Sequence, residues 1–158
     1  MKRHNRWRFL CGFGMLFLIA GCTKSTQKPP PLLIENVWSW PLQVSNGSKA
    51  GHSGRNGVVY LTVINPSHQT DRLLSVQTDV AAKVEMHETR MQGDRMLMQP
   101  VVGGMAIPPQ SQVEFKPGGA HIMLIGVNRS LLSGDRFEVK LTFQNSGVIT
   151  VESQVRKL

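Results

Sequence analysis

The stretch "RFEVKLTF", Arg136–Phe143, sets Phe137, Val139, Leu141 and Phe143 on every second residue with polar neighbours between them. That period puts the apolar set on one face of a strand and cannot bury it from a helix. From Ile34 onward the same logic repeats, because short apolar or alternating runs are cut by Gly, Pro, Asn and Asp, and none sustains a period of 3.6 residues. Strands are expected at "IENVWSW", "GVVYLTVIN", "DRLLSVQT", "KVEMHETR", "RMLMQPV", "SQVEFK", "HIMLIGV", "RFEVKLTF" and "VITVESQV". Seven to nine short strands with frequent turns define an all-β domain, a Greek-key sandwich or barrel. Residues 41–57, "PLQVSNGSKAGHSGRNG", read as a long polar surface loop.

The first 22 residues, "MKRHNRWRFLCGFGMLFLIAGC", carry four Lys or Arg and no acid, then an apolar run over 9–20 and small residues before Cys22. This is the pattern of an export signal. Its apolar run falls short of the roughly 20 residues that span a bilayer. Ile19-Ala20-Gly21-Cys22 resembles the bacterial lipobox, which implies lipidation of Cys22 as the first residue of the mature protein. Acyl chains contribute about 0.8 kcal/mol per buried CH₂, so a multiply acylated Cys22 would tether the domain to a membrane without spanning it. Residues 23–33, with Pro29, Pro30 and Pro31, read as a semi-rigid spacer, and 34–158 as the folded domain.

Charge and cysteine usage remove several function classes. The net charge of +8 includes four positive charges in the signal, which leaves +4 on the rest. No basic stripe with interleaved aromatics is visible, so nucleic acid is not an expected partner. Both cysteines, Cys11 and Cys22, lie in the leader, so the domain offers neither thiol nor disulfide. That excludes thiol–disulfide exchange and the blue-copper electron-transfer site, which needs a Cys thiolate beside two His. There is no C-x-x-C-H haem attachment and no G-x-S-x-G turn, and Asp79, Glu85 and Glu88 make no evident acid–base pair. An enzyme is not expected.

What stands out is where the methionines fall. All six beyond the leader, Met86, Met91, Met96, Met98, Met105 and Met123, lie within 38 residues, together with His87 and His121. A hairpin with Gln92-Gly93 as its two-residue loop would set His87 opposite Met98, about 4.5–5.5 Å apart at Cβ. His121 and Met123 are two residues apart, so a strand projects both from one face. If the two pairs meet, two imidazoles and two thioethers surround one ion. Thioethers select Cu(I), whereas zinc, calcium and magnesium sites use other donors. A single Met or His is more often packing than ligand; four in matched pairs reverse that balance. Met91, Met96 and Met105 are read as packing residues that could guard the site rather than bind. His52 and His68 sit in polar loops and are not expected to bind, although the Gly-flanked loop of His52 could fold over the site.

The spacing "MH", ten residues, "M", twenty-two residues, "HIM" resembles the signature of the periplasmic copper chaperone PCu(A)C family. "YLTVIN", "VEMHETRM", "GGMAIPP", "FKPGGAHIMLIG" and "GDRFEVKLTF" extend the resemblance over about 34–156. The resemblance implies a cupredoxin-like β-sandwich that binds one Cu(I) through His87, Met98, His121 and Met123. It also implies delivery to a copper-accepting protein, the copper centre of cytochrome c oxidase, from the envelope side of a membrane. The chain departs from the family in a longer 41–57 loop, where the family's partner contacts need not carry over, and in lacking a His/Met-rich tail before Leu158, so one copper rather than two is expected; a monomer is expected as well. Two rivals survive: copper storage or tolerance, and a non-metal lipoprotein whose methionines line a protein contact.

Overall fold

The computed structural model describes residues 31–44 and 55–157. Ten strands follow in chain order: β1 (Leu33–Ser39), β2 (Gly57–Asn65), β3 (Asp71–Gln77), β4 (Ala81–Gln92), β5 (Arg95–Pro100), β6 (Met105–Ile107), β7 (Ser111–Phe115), β8 (Ala120–Val127), β9 (Arg136–Phe143) and β10 (Gly147–Val155). No described residue is α-helical. The signal segment, Cys22 and His52 lie outside the described residues.

The strands make one sheet in the order β5-β4-β8-β7-β2-β1-β10-β9-β3-β6, with β8 also pairing with β2. The sheet curls over a common core, so that β3, near one end of that order, meets β4, near the other, without pairing with it. Alternation explains the inward faces. Phe137, Val139, Leu141 and Phe143 of β9 are all buried, and Ile122 and Leu124 of β8 are fully so. β2 is apolar almost throughout because both its sides are covered. Val59, Leu61 and Val63 enter the core, while Tyr60 points the other way and packs on Trp38, its partner in register, with ring centroids 4.7 Å apart.

Three features escape the sequence pattern. The first is β6, whose three residues pair with Leu73–Asp71 of β3. It is too short to carry a period. Gly104 precedes it at φ +83, where an added Cβ would stand 2.5 Å from the Leu73 carbonyl, so only glycine lets this strand close on β3. The second is a bulge in β1 between Glu35 and Trp38, with Asn36 at φ 52, a left-handed conformation that Asn tolerates. It lets Trp38 and Ser39 pair in parallel with β10. The third is Leu42, which exchanges two backbone hydrogen bonds of 2.8 Å with Leu131. The polar segment after β1 is therefore pinned to the sandwich at Leu42 rather than looping freely from residue 41. At the other end of the domain boundary, Leu32 is already buried in the core.

Asp71 fastens the far end of the sandwich. Its carboxylate accepts hydrogen bonds from the backbone N–H of Arg72 at 2.7 Å, of Asn145 at 2.9 Å and of Ser146 at 3.0 Å, and from the Ser146 hydroxyl at 2.6 Å. The β9–β10 turn is thereby held against the start of β3. Burial alone would raise its pKa, but the bonds from the Ser146 hydroxyl and the three backbone N–H groups outweigh it and hold the carboxyl below its usual value.

Candidate metal centre

The site residues stand on the outer face of the β5-β4-β8 ribbon. On β4, Met86 points into the core, so His87 must point outward; on β8, Ile122 and Leu124 point in, so His121 and Met123 point outward. The register of the two strands pairs His87 directly with His121 and Glu85 with Met123. The two imidazole rings lie 5.8 Å apart between centroids at an interplanar angle of 46°.

The hairpin differs from the sequence expectation. Gly93 and Asp94 form its loop, Gln92 pairs with Arg95, and His87 faces Pro100, while Met98 faces Thr89. Gly93 sits at φ +60, so the glycine takes the first loop position as in Gly-X turns of type II′, not the second. The pairing therefore slips by two residues. Because side chains alternate with period two, the slip keeps Met98 on the face of His87 but moves it to the diagonal position, within reach of a long side chain.

Met98, His121 and Met123, with Thr89, line one open pocket of about 570 Å³, whose lining does not include His87. Its far wall comes from elements remote in sequence: Trp40 after β1 and Val58 and Tyr60 of β2. Val58 is the β2 partner of Met123. The Met98 side chain stands in solvent at 64 % exposure, while His87 is largely covered, its side chain 14 % exposed. Met105 is half-buried against the core, as a packing methionine should be. Met91 and Met96 do not fit the packing expectation: they are 65 % and 63 % exposed. His68 is exposed in the loop after Asn65, at the other end of β2 from the pocket.

Hydrogen bonds fix which ring nitrogens can bind. His121 Nδ1 lies 3.0 Å from the Gly119 carbonyl, which can only accept, so Nδ1–H donates to it and Nε2 is the nitrogen left for another partner. His87 Nε2 lies 2.8 Å from Glu85 Oε2, so Nε2–H donates to the carboxylate and Nδ1 is the ring nitrogen left without that partner. Partners of this kind orient ligating imidazoles and raise their basicity. Glu85 also pairs with Lys83. The hydrogen bond from Lys83, then that from His87, holds the Glu85 carboxyl below its usual pKa. Glu85 could have been found in the sequence, since it precedes His87 by two on a strand. The pocket wall of Trp40 and Tyr60 could not.

Among the described residues, no three or more His, Cys, Asp or Glu come together as a metal-binding group. The candidate donors on this face are instead the imidazoles of His87 and His121, paired in register, beside thioethers. That set suits a soft monovalent ion and not zinc or calcium.

The fold and this face define a small all-β domain of the cupredoxin-like kind with a His/Met surface site. The chain belongs to the LpqE-like family, described as "Putative lipoprotein LpqE-like", whose model matches residues 32–155. It is 30% identical over 108 residues to "Putative lipoprotein Lxx21020" of Leifsonia xyli subsp. xyli, covering 68% of this chain and 64% of that one. It is also 30% identical over 91 residues to "Uncharacterized protein RP573" of Rickettsia prowazekii, covering 58% and 50%. The chain thus spans between half and two thirds of these relatives. Its fold is that of PCu(A)C domains. It resembles "Copper-bound PCuAC domain from PmoF2" at TM-score 0.61 and 21% identity, over 84% of this chain and 97% of that one. It resembles the Deinococcus radiodurans CuI-DR1885 solution structure at TM-score 0.57 and 23% identity, over 86% and 85%. At these identities the likeness is one of fold.

Proposed function

We propose that the protein is a copper chaperone of the cell envelope that carries one Cu(I) on His87, Met98, His121 and Met123. The observation that carries this reading is the direct pairing of His87 with His121 on the face that also presents Met98 and Met123. Two imidazoles and two thioethers match the softness of Cu(I) and need no thiol, which suits an oxidising compartment. The copper-bound PCu(A)C domains that share the fold support the same reading.

The site is built for release as well as capture. Met98 stands in solvent and the pocket is open, so an incoming ligand can displace one donor at a time. Delivery therefore fits better than storage, where an enclosed ion would be expected. The cytochrome c oxidase copper centre is the proposed recipient, and the protein acts as a carrier, not an enzyme. Cys22 is the proposed lipid anchor; the lipoprotein descriptions of the family and of the Leifsonia relative support it.

The test is competition for Cu(I) against a chromogenic chelator, using the chain with Cys11→Ser and Cys22→Ser so that no thiol competes. One equivalent should be withheld from the chelator, and Met98→Leu with Met123→Leu should surrender it. A protein that yields all its copper, or a double variant that holds it as tightly, rules the site out. Removing the protein from cells should lower oxidase activity at limiting copper; lost copper tolerance with unchanged oxidase activity favours storage.

A further inference from the structure

Met91 and Met96 face each other across the β4–β5 hairpin, and Met98 follows on the same side of β5. Three methionines with 65 %, 63 % and 64 % of their surface exposed sit side by side at the hairpin tip. The opposite side of this ribbon carries Leu97 among polar and ionic residues, with Arg90 bound to Glu88. Packing does not account for the three thioethers, since most of each stands in solvent, and small domains seldom leave adjacent large apolar side chains in water. Nor is their placement indifferent: Met96 and Met98 both line the pocket that His121 and Met123 enter.

We infer that Met91, Met96 and Met98 form a second, all-thioether Cu(I) position on the hairpin, through which the ion enters and leaves the His/Met site. This rests on the copper reading above and extends it. The three donors are neutral and carry no proton, so they can take a soft monovalent ion from water but hold it loosely compared with a site that includes imidazole. Met98 belongs to both positions. The ion therefore occupies one or the other, and the capacity stays at one per chain. Passage inward breaks the bonds to the Met91 and Met96 sulfurs, keeps the bond to Met98, and forms bonds to the ring nitrogens of His87 and His121 and to Met123. Copper remains monovalent throughout.

The probe is Ag(I), a redox-stable substitute for Cu(I), added to the full chain in detergent with Cys11→Ser and Cys22→Ser and with methyl-labelled methionine. In a His87→Ala/His121→Ala background, the methyl signals of Met91, Met96 and Met98 should shift on titration while those of Met86 and Met105 stay in place. Met91→Leu/Met96→Leu, a volume-conserving change, should weaken that residual binding by about tenfold or more. In the otherwise unaltered chain, the same pair of changes should leave equilibrium affinity within about threefold yet slow Cu(I) transfer to a chelator by about tenfold. Unmoved Met91 and Met96 signals, or an unchanged transfer rate, overturn the hairpin position whatever the wild type binds. A wild type without tight binding, but with Met91 and Met96 still shifting, removes the four-ligand site and leaves this one standing.

Discussion

His87 and His121 are opposite neighbours on β4 and β8, their rings 5.8 Å apart, and each ring is held through one nitrogen by an acceptor, Glu85 or the Gly119 carbonyl. One register thus sets two imidazoles side by side on an outer face. Because that face is not the core, replacing either ring should spare the fold. His87→Ala or His121→Ala should lower Cu(I) affinity by more than the 10–100-fold typical of an outer-shell loss, with little change in thermal unfolding. Chelator competition and a melting curve on the same samples check both halves.

Glu85 tests the shell behind His87. Its carboxylate receives the Nε2–H of His87 at 2.8 Å and also pairs with Lys83. Glu85→Ala removes the group that orients the ring, and affinity should fall by about 10–100-fold with every ligand still in place. Glu85→Gln keeps an acceptor and should recover part of it. Equal affinities for wild type and Glu85→Ala would remove this role.

Acid should loosen copper through the imidazoles alone, since thioethers do not titrate and a protonated ring cannot bind. Wild type should lose affinity steadily on acidification. The His87→Ala variant, with one imidazole fewer, should show a shallower slope. Parallel titrations decide it, and superimposable profiles contradict the ligand assignment.

Asp71 makes a separate prediction about stability. The folded-state pKa is depressed, so its contribution is fully present above the ordinary carboxylate value near 3.8 and disappears as pH falls through the lower folded value. Wild type should lose stability across that acid window, and Asp71→Ala should show a flatter dependence there. At neutral pH the variant should be weaker by on the order of 2–4 kcal/mol, given about 1.5–3 kcal/mol for each hydrogen bond to a charged group and incomplete additivity. Denaturant midpoints at several pH values measure it.

Much of this fold is written in period-two patterns. The alternation of Phe137, Val139, Leu141 and Phe143 and the apolar run of Val58 to Ile64 translate directly into β9 and β2. Face assignments at the site were legible for the same reason. His87, Met98, His121 and Met123 share a side because every relevant separation preserves parity, even after the hairpin slipped by two. The slip itself turns on whether Gly93 holds the first or second loop position, a backbone choice that the letters Gln-Gly-Asp do not decide. β6 left no trace because three residues between glycines and prolines carry no period. Trp40 and Tyr60 reach the pocket only through the β1 bulge at Asn36 and the pairing of distant strands, which no local pattern encodes.

X-ray absorption at the copper edge of the Cu(I)-loaded chain, with Cys11→Ser and Cys22→Ser, tests the central claim most directly. The account predicts a first shell of two imidazole nitrogens and two thioether sulfurs, with sulfur lost when Met98 and Met123 are both Leu. A shell without sulfur, or one that is unchanged in that double variant, contradicts it.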